Sequence, residues 1–257
     1  EYADGVDIIP SEVYRRLPSE MPKTTLPSGE SVEQVLGQIR KKGYSRVLAI
    51  HLSGGLSGTC NLVRVVGAQT DGMEVAVFDT QSGSLGIGMT VLQAARWIEQ
   101  GWSWNDLLRA IPPLIRNTHV FFCVNTLEYL QKGGRIGKIS AVAGTLLQIK
   151  PIISFAEDGE LVSAAKVRGR KAAMQKMVQM TASLVPRGAV FNLAVAHGDS
   201  PEELREIRVL AQQNMPGFLN FMEGEIDCTL GSYVGPHLLG VGVQMMDEAY
   251  SAVGSKN

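Results

Sequence analysis

Seven consecutive residues, Ser53-Gly54-Gly55-Leu56-Ser57-Gly58-Thr59, gather the groups that hold a small anion: hydroxyls, and glycines that let the backbone approach a ligand. They follow the apolar run Val47 to Leu52 and precede a helix-like segment, Cys60 to Thr70. That order predicts a strand emptying into a loop at a helix start, where unpaired backbone N–H groups and the positive helix end favour negative charge. The same composition also serves an ordinary βα turn whose glycines only relax backbone angles, and the loop alone leaves both readings open.

Other residue types narrow the chemistry. His51, His119, His197 and His237 are dispersed, with neither His-x-x-x-His nor carboxylate spacing, so no metal site is expected. His237 is kept as a ligand-facing candidate because Gly235-Pro236 before it marks a turn. Asp79 and Glu128 stand singly at element edges, which does not suit paired-carboxylate catalysis. No nucleophile elbow, triad order or Walker lysine after the glycine loop is present, so no catalytic residue and no cofactor are assigned. Arg135, Lys138, Arg168, Arg170 and Lys171 form a basic group suited to a phosphate or a partner surface, or to solvated helix ends. Met174, Met177, Met180 and Met245-Met246 fit a plain core, or the adaptable wall of a channel.

These residues need a frame to position them. The chain has 257 residues, 45% hydrophobic and 19% charged, which is near the size at which one core becomes two. Twenty-four basic against 25 acidic residues leave a formal charge of −1, so no global field recruits nucleic acid, and any anion is held locally. Cys60, Cys123 and Cys228 are too few and too scattered for a disulfide framework, which suits a reducing, cytoplasmic setting. No stretch approaches the roughly 20 apolar residues of a membrane span, and Glu1-Tyr2-Ala3-Asp4 has no signal-peptide character.

Alternation of elements predicts an α/β protein of two domains. A helix over Val32 to Lys42, the strand at Val47, a helix, and a strand Val75 to Phe78 make a βαβ unit. A helix from Leu85 closes on Gly101, a short one from Trp104 is expected to stop at Pro112-Pro113, and His119 to Val124 continues the same parallel sheet. The strand ends near Ser53, Thr80 and Asn125 then face one crevice beyond the carboxyl edge. Lys150 to Phe155 and Leu161 to Lys166 read as an antiparallel hairpin around Glu157-Asp158-Gly159-Glu160. A helix from Lys171, a strand Ala189 to His197, a helix at Ser200-Pro201 and further strands near Phe218 and Leu239 complete the chain. The boundary is placed at 147/148: an N-terminal domain over 1–147 with a mostly parallel sheet flanked by helices, and a C-terminal mixed α/β domain over 148–257, with the ligand between them.

Several motifs, in order, carry a resemblance. Asp4-Gly5-Val6-Asp7-Ile8, Pro22 to Ser28, the Ser53 to Thr59 loop, Thr126 to Lys138 with its Gly133-Gly134-Arg135, Leu147 to Ile153 and Lys166 to Lys171 together resemble the DegV family of bacterial fatty-acid-binding proteins. The resemblance implies a two-domain protein with one long-chain fatty acid between the domains. The carboxylate is expected on Thr24, Thr25, Ser53, Gly54, Ser57 and His237. It further implies presentation of the acid to a fatty-acid kinase for phospholipid synthesis, with transient membrane contact. Arg168, Arg170 and Lys171 are then the expected partner surface. Three features set the sequence against the family pattern: the family's first strand and Asp-Ser turn are expected ahead of Asp4, upstream of Glu1, Gly54 replaces a serine, and Tyr233 stands at the usual histidine of a Gly-Thr-His-Thr-Gly-Pro-Gly segment.

The physics of a lipid agrees with that expectation. Burying about fourteen methylenes at roughly 0.8 kcal/mol each offers about 11 kcal/mol before binding costs. The carboxylate then needs charge-assisted donors, which hydroxyls and helix-end N–H groups supply without a lysine, a metal or a charge-withdrawing arginine. The alternative reading is an α/β enzyme acting on a phosphorylated small metabolite held in the Ser53 to Thr59 loop.

Overall fold

The computed structural model describes residues 1–142 and 149–246, so the expected boundary at 147/148 and the Leu147-Gln148 part of one motif lie outside the described residues. Helix α1 (Pro10–Arg16) starts with proline in its first turn, where the missing N–H costs no hydrogen bond. In α2 (Gly29–Lys41) the Ser28 hydroxyl caps the helix by accepting from the Ser31 N–H at 3.0 Å. Strand β1 (Arg46–His51), helix α3 (Thr59–Ala68) and strand β2 (Glu74–Asp79) form the expected parallel unit, with Arg46 opposite Glu74. Its outer face is covered by α2 and α3 through Val32, Leu36, Val63 and Val66.

Helix α4 (Leu85–Glu99) ends near Gly101, whose φ of +80° suits a residue without a side chain. Helix α5 (Trp104–Arg116) runs through Pro112 and Pro113 instead of stopping at them. Each proline removes one helical hydrogen bond, but Leu107, Ala110, Ile111 and Leu114 form one buried stripe against Trp97 of α4, and continuing the helix is what buries Leu114.

Strand β3 (Thr118–Cys123) does not extend the β1–β2 sheet. It pairs antiparallel with strands from later in the chain, because Val120, Phe122 and Cys123 need cover on both faces that the small sheet does not offer. After α6 (Glu128–Lys132) and a 3₁₀ turn over Gly137–Val142 come β4 (Ile149–Phe155) and β5 (Leu161–Arg168), the expected hairpin. Helix α7 (Arg170–Ser183), β6 (Phe191–Gly198), α8 (Pro201–Asn214), β7 (Asn220–Glu225), α9 (Cys228–Val234) and β8 (Leu238–Met245) follow.

Among the described residues the architecture is mixed α/β, with a two-stranded parallel sheet beside a six-stranded sheet ordered β5-β4-β3-β8-β6-β7. Helices α7 and α8 cover one face of the large sheet through Met174, Met177, Val178 and Ile207, so these methionines are core. Helix α4 covers part of the other face. A buried polar ladder fixes strand register: Asn192 donates to Gln93 at 3.2 Å and to Gln244 at 3.0 Å, and Gln244 donates to Thr118 at 2.9 Å. Cys60, Cys123 and Cys228 are free and buried.

Candidate functional site

A cavity of about 390 Å³ lies between the carboxyl end of the β1–β2 pair and the uncovered part of the large sheet. Its size falls in the roughly 300–1,000 Å³ range of small-molecule sites. One wall is Leu52 and Leu56, delivered by β1 and its loop. The opposite wall is Phe122, Phe155, Leu161 and Leu238 from the large sheet, with Ala196 and Gly240 as its floor. The lining is mostly apolar because sheet alternation turns these positions to a face that only the cavity and α4 cover.

Polar groups collect at one rim. The segment between α1 and α2 brings Thr24 and Thr25 to the cavity, and the Thr24 hydroxyl is hydrogen-bonded to the Tyr233 hydroxyl of α9. The Tyr233 ring packs against Gly133, where an added Cβ would come within 2.3 Å of a ring carbon, so only glycine allows this approach. Arg135 places its guanidinium 5.2 Å from the Tyr233 ring centroid and donates to the carbonyl oxygens of Leu56 at 3.3 Å and Gly133 at 2.9 Å. Ser57 pairs with Thr59 at 2.9 Å, and both line the cavity, as does Thr229. The rim therefore carries a full positive charge at Arg135, where sequence reasoning expected hydroxyls and N–H groups alone.

From Gly54 to Ser57 the loop after β1 spends its N–H groups internally, which leaves the N–H groups of Gly58, Cys60 and Asn61 at the start of α3 as its open donors among the described residues. Gly54 N–H donates to the Asp79 carboxylate at 3.0 Å, Gly55 N–H to the Ser53 hydroxyl at 3.1 Å, and Leu56 and Ser57 N–H to the Ser53 carbonyl at 3.0 and 3.1 Å. Thr59 N–H turns to the Ser57 hydroxyl at 3.3 Å. A phosphate over Gly54 to Ser57 would meet used donors and the Asp79 carboxylate.

Of the expected carboxylate-binding residues, Thr24, Thr25 and Ser57 come together on the rim, whereas Ser53, Gly54 and His237 lie outside the lining. Ser53 is fully buried, and its hydroxyl donates to the Gly159 carbonyl at 2.8 Å. His237 has a φ of +62° at the place of the last glycine in the resembled segment, and its ring hydrogen-bonds Ser200 at 2.9 Å. The basic group divides. Arg168 and Lys171 are exposed, but Arg170 pairs bidentately with Glu203 at 2.8 and 2.9 Å and donates to the His237 carbonyl at 2.6 Å. Arg170 is thus an internal strut, because the bend from β5 into α7 turns its side chain under the strand ends.

Sequence reasoning missed Thr229 and Ser84 as lining residues, and Arg135 was marked only as part of a basic group. Ser84 carries a φ of +46° at the start of α4, a signal visible only in coordinates. Asp4 is explained by contact: its carboxylate accepts from the Cys228 and Thr229 N–H groups at 3.1 and 2.8 Å, capping α9. Burial raises its carboxyl, but hydrogen bonds from Cys228 and Thr229 outweigh that and hold it below the usual range.

No described helix is long and apolar enough to cross a membrane. A family model described as "Uncharacterised protein, DegV family" matches residues 1–245. A DegV domain-containing protein of Clostridium acetobutylicum is 35% identical over 242 residues, covering 94% of this chain and 85% of that protein. Among solved structures, a fatty-acid-binding DegV family protein from Thermus thermophilus matches with a TM-score of 0.89 at 29% identity, over 95% of this chain and 87% of that one. A stearic-acid-binding protein from Eubacterium ventriosum matches with a TM-score of 0.85 at 27% identity, over 95% and 86%.

Proposed function

The chain belongs to the DegV family, and from that premise we propose that it is a non-catalytic carrier of one long-chain fatty acid. The observation that carries the reading is the pairing of a mostly apolar cavity with a polar rim at Thr24, Thr25, Ser57, Arg135 and Tyr233, which fits a molecule with one polar end and a long apolar remainder. The fatty-acid binding of the Thermus and Eubacterium relatives supports it. In this reading the acyl chain occupies the cavity and the carboxylate meets the rim hydroxyls of Thr24, Thr25 and Ser57, with Tyr233 and Arg135 beside them. Arg135 favours the ionised carboxylate, and its distance from that group sets how much nucleophilicity the carboxylate keeps.

A fatty-acid kinase is the proposed partner, meeting the exposed Arg168 and Lys171, and loading from a bilayer would take place at Leu26, which lines the cavity while remaining 51% exposed. The phosphorylated-metabolite reading is disfavoured by the occupied N–H groups of Gly54 to Ser57 and by the Asp79 carboxylate that sits on Gly54. Organic extraction of freshly purified protein, followed by mass spectrometry, is expected to release a long-chain fatty acid. Repeated absence of any acyl chain, together with no uptake of added oleate or palmitate, rejects the proposal.

A further inference from the structure

The floor of the cavity is a trough of small residues on β8 and β6, flanked by larger side chains of β3, and only its first part is open. In register, Gly240 of β8 sits between Phe122 of β3 and Ala196 of β6, and all three line the cavity. Two residues further along β8, on the same face, Gly242 sits between Val120 of β3 and Ala194 of β6. This second row is filled. A Cβ added at Gly242 would lie 2.6 Å from the Met89 methyl carbon, and 3.5 Å from both Leu85 Cβ and a Val120 methyl. Met89 is completely buried and packs with Val120 and Ala194. Leu85, one turn earlier on α4, lines the cavity itself.

We infer that Met89 is the depth stop of the cavity and sets the length of acyl chain the protein accepts. The inference rests on the fatty-acid reading of the site. Gly242 and Ala194 leave a niche in the sheet that continues the open row of Gly240 and Ala196, and the Met89 side chain occupies it. An unbranched thioether fills such a gap without fixing its shape rigidly. Truncation to alanine removes Cγ, Sδ and Cε, three heavy atoms, which makes room for about two more methylenes at about fourfold in affinity each. Gly240 provides the opposite change. A Cβ there meets only ordinary contacts at 3.7 Å, so valine at this position directs its methyl groups into the open row and shortens it.

The test is a chain-length series of saturated fatty acids, from twelve to twenty-two carbons, bound to delipidated wild-type protein, Met89→Ala, Met89→Leu and Gly240→Val, with thermal unfolding as a folding control. The wild-type protein is expected to show an optimum length. Met89→Ala moves it about two carbons longer, Met89→Leu leaves it close to wild type, and Gly240→Val moves it shorter. An unchanged optimum in folded Met89→Ala overturns the inference, whatever Gly240→Val does, while leaving the fatty-acid reading intact. If Met89→Ala does not fold, an unshifted optimum in Gly240→Val is sufficient to overturn it. Failure of wild-type protein to bind any acid of the series overturns the reading on which the inference rests.

Discussion

Ser53 and Gly159, 106 residues apart in the chain, are joined by a buried hydrogen bond of 2.8 Å from the Ser53 hydroxyl to the Gly159 carbonyl. It fastens the loop after β1 to the tip of the β4–β5 hairpin, and so ties the small sheet to the large one beside the cavity. Gln81 reinforces the joint by donating to the Glu157 carbonyl at 2.5 Å. The fit is tight, since a Cβ on Gly159 would come within 1.9 Å of the Ser53 oxygen, and Gly159 has a φ of +76° that only glycine adopts without strain.

Ser53→Ala is expected to lower stability by about 1–3 kcal/mol, because the Gly159 carbonyl and Gly55 N–H both lose a buried partner. Gly159→Ala should cost more, since it adds backbone strain to the collision. Urea unfolding of the delipidated proteins measures both. A Ser53→Ala variant of unchanged stability that no longer binds fatty acid would return Ser53 to the role of a headgroup donor.

The rim gives a second prediction. Thr25→Ala, Ser57→Ala and Tyr233→Phe should each weaken fatty-acid binding by about 1–3 kcal/mol per charge-assisted bond lost, with little effect on folding. The matching fatty alcohol separates headgroup from tail, because its affinity should change far less in the same variants. Equal losses for acid and alcohol would mean that these side chains shape the cavity and do not hold the carboxylate.

The pattern of what the sequence makes legible is physical. The βαβ unit and the hairpin are local, and alternation with glycine punctuation is enough to read them. The sheet that β3 joins is decided by strands beginning more than 25 residues later, and nothing in Thr118 to Cys123 distinguishes a parallel neighbour from antiparallel ones. Helix α5 continues through Pro112 because tertiary burial of Leu114 outweighs a local penalty. At the site, the motifs locate Thr24, Thr25 and Ser57, yet Ser53 and Ser57 look alike in one loop. Only the hairpin tip from residue 159, packed against that loop, shows that Ser53 faces the joint and Ser57 the rim.

For the exposed basic residues the expectation concerns association. Arg168→Glu with Lys171→Glu should keep stability within about 0.5 kcal/mol and leave fatty-acid affinity unchanged, since both are exposed and outside the cavity lining. If a fatty-acid kinase docks there, acyl-phosphate formation falls, and its salt dependence weakens with the lost charges. Unaltered acyl-phosphate formation by the double variant would place the partner on another face.

Arg170 behaves differently, because its pair with Glu203 leaves the two side chains only 22% and 28% exposed. Removing Arg170 strands a partly buried carboxylate, which for a fully buried pair costs about 3–5 kcal/mol; solvent contact here brings the expected loss for Arg170→Met to about 1–3 kcal/mol. The hydrogen bond from Arg170, against the opposing effect of burial, holds the Glu203 carboxyl below its ordinary 4.5. A depressed carboxyl contributes stability that is fully present above the unfolded value and disappears as pH falls through the folded one. Wild-type protein should therefore lose this contribution on acidification below about pH 4.5, while Arg170→Met, which lacks it, should show a shallower loss. Urea midpoints from pH 3 to pH 7 read the difference: the gap between the two proteins should be widest near neutrality and close toward pH 3. A gap that stays constant over that range would mean that Arg170 acts through its contacts with Cys123 and the His237 carbonyl, and not through the charge on Glu203.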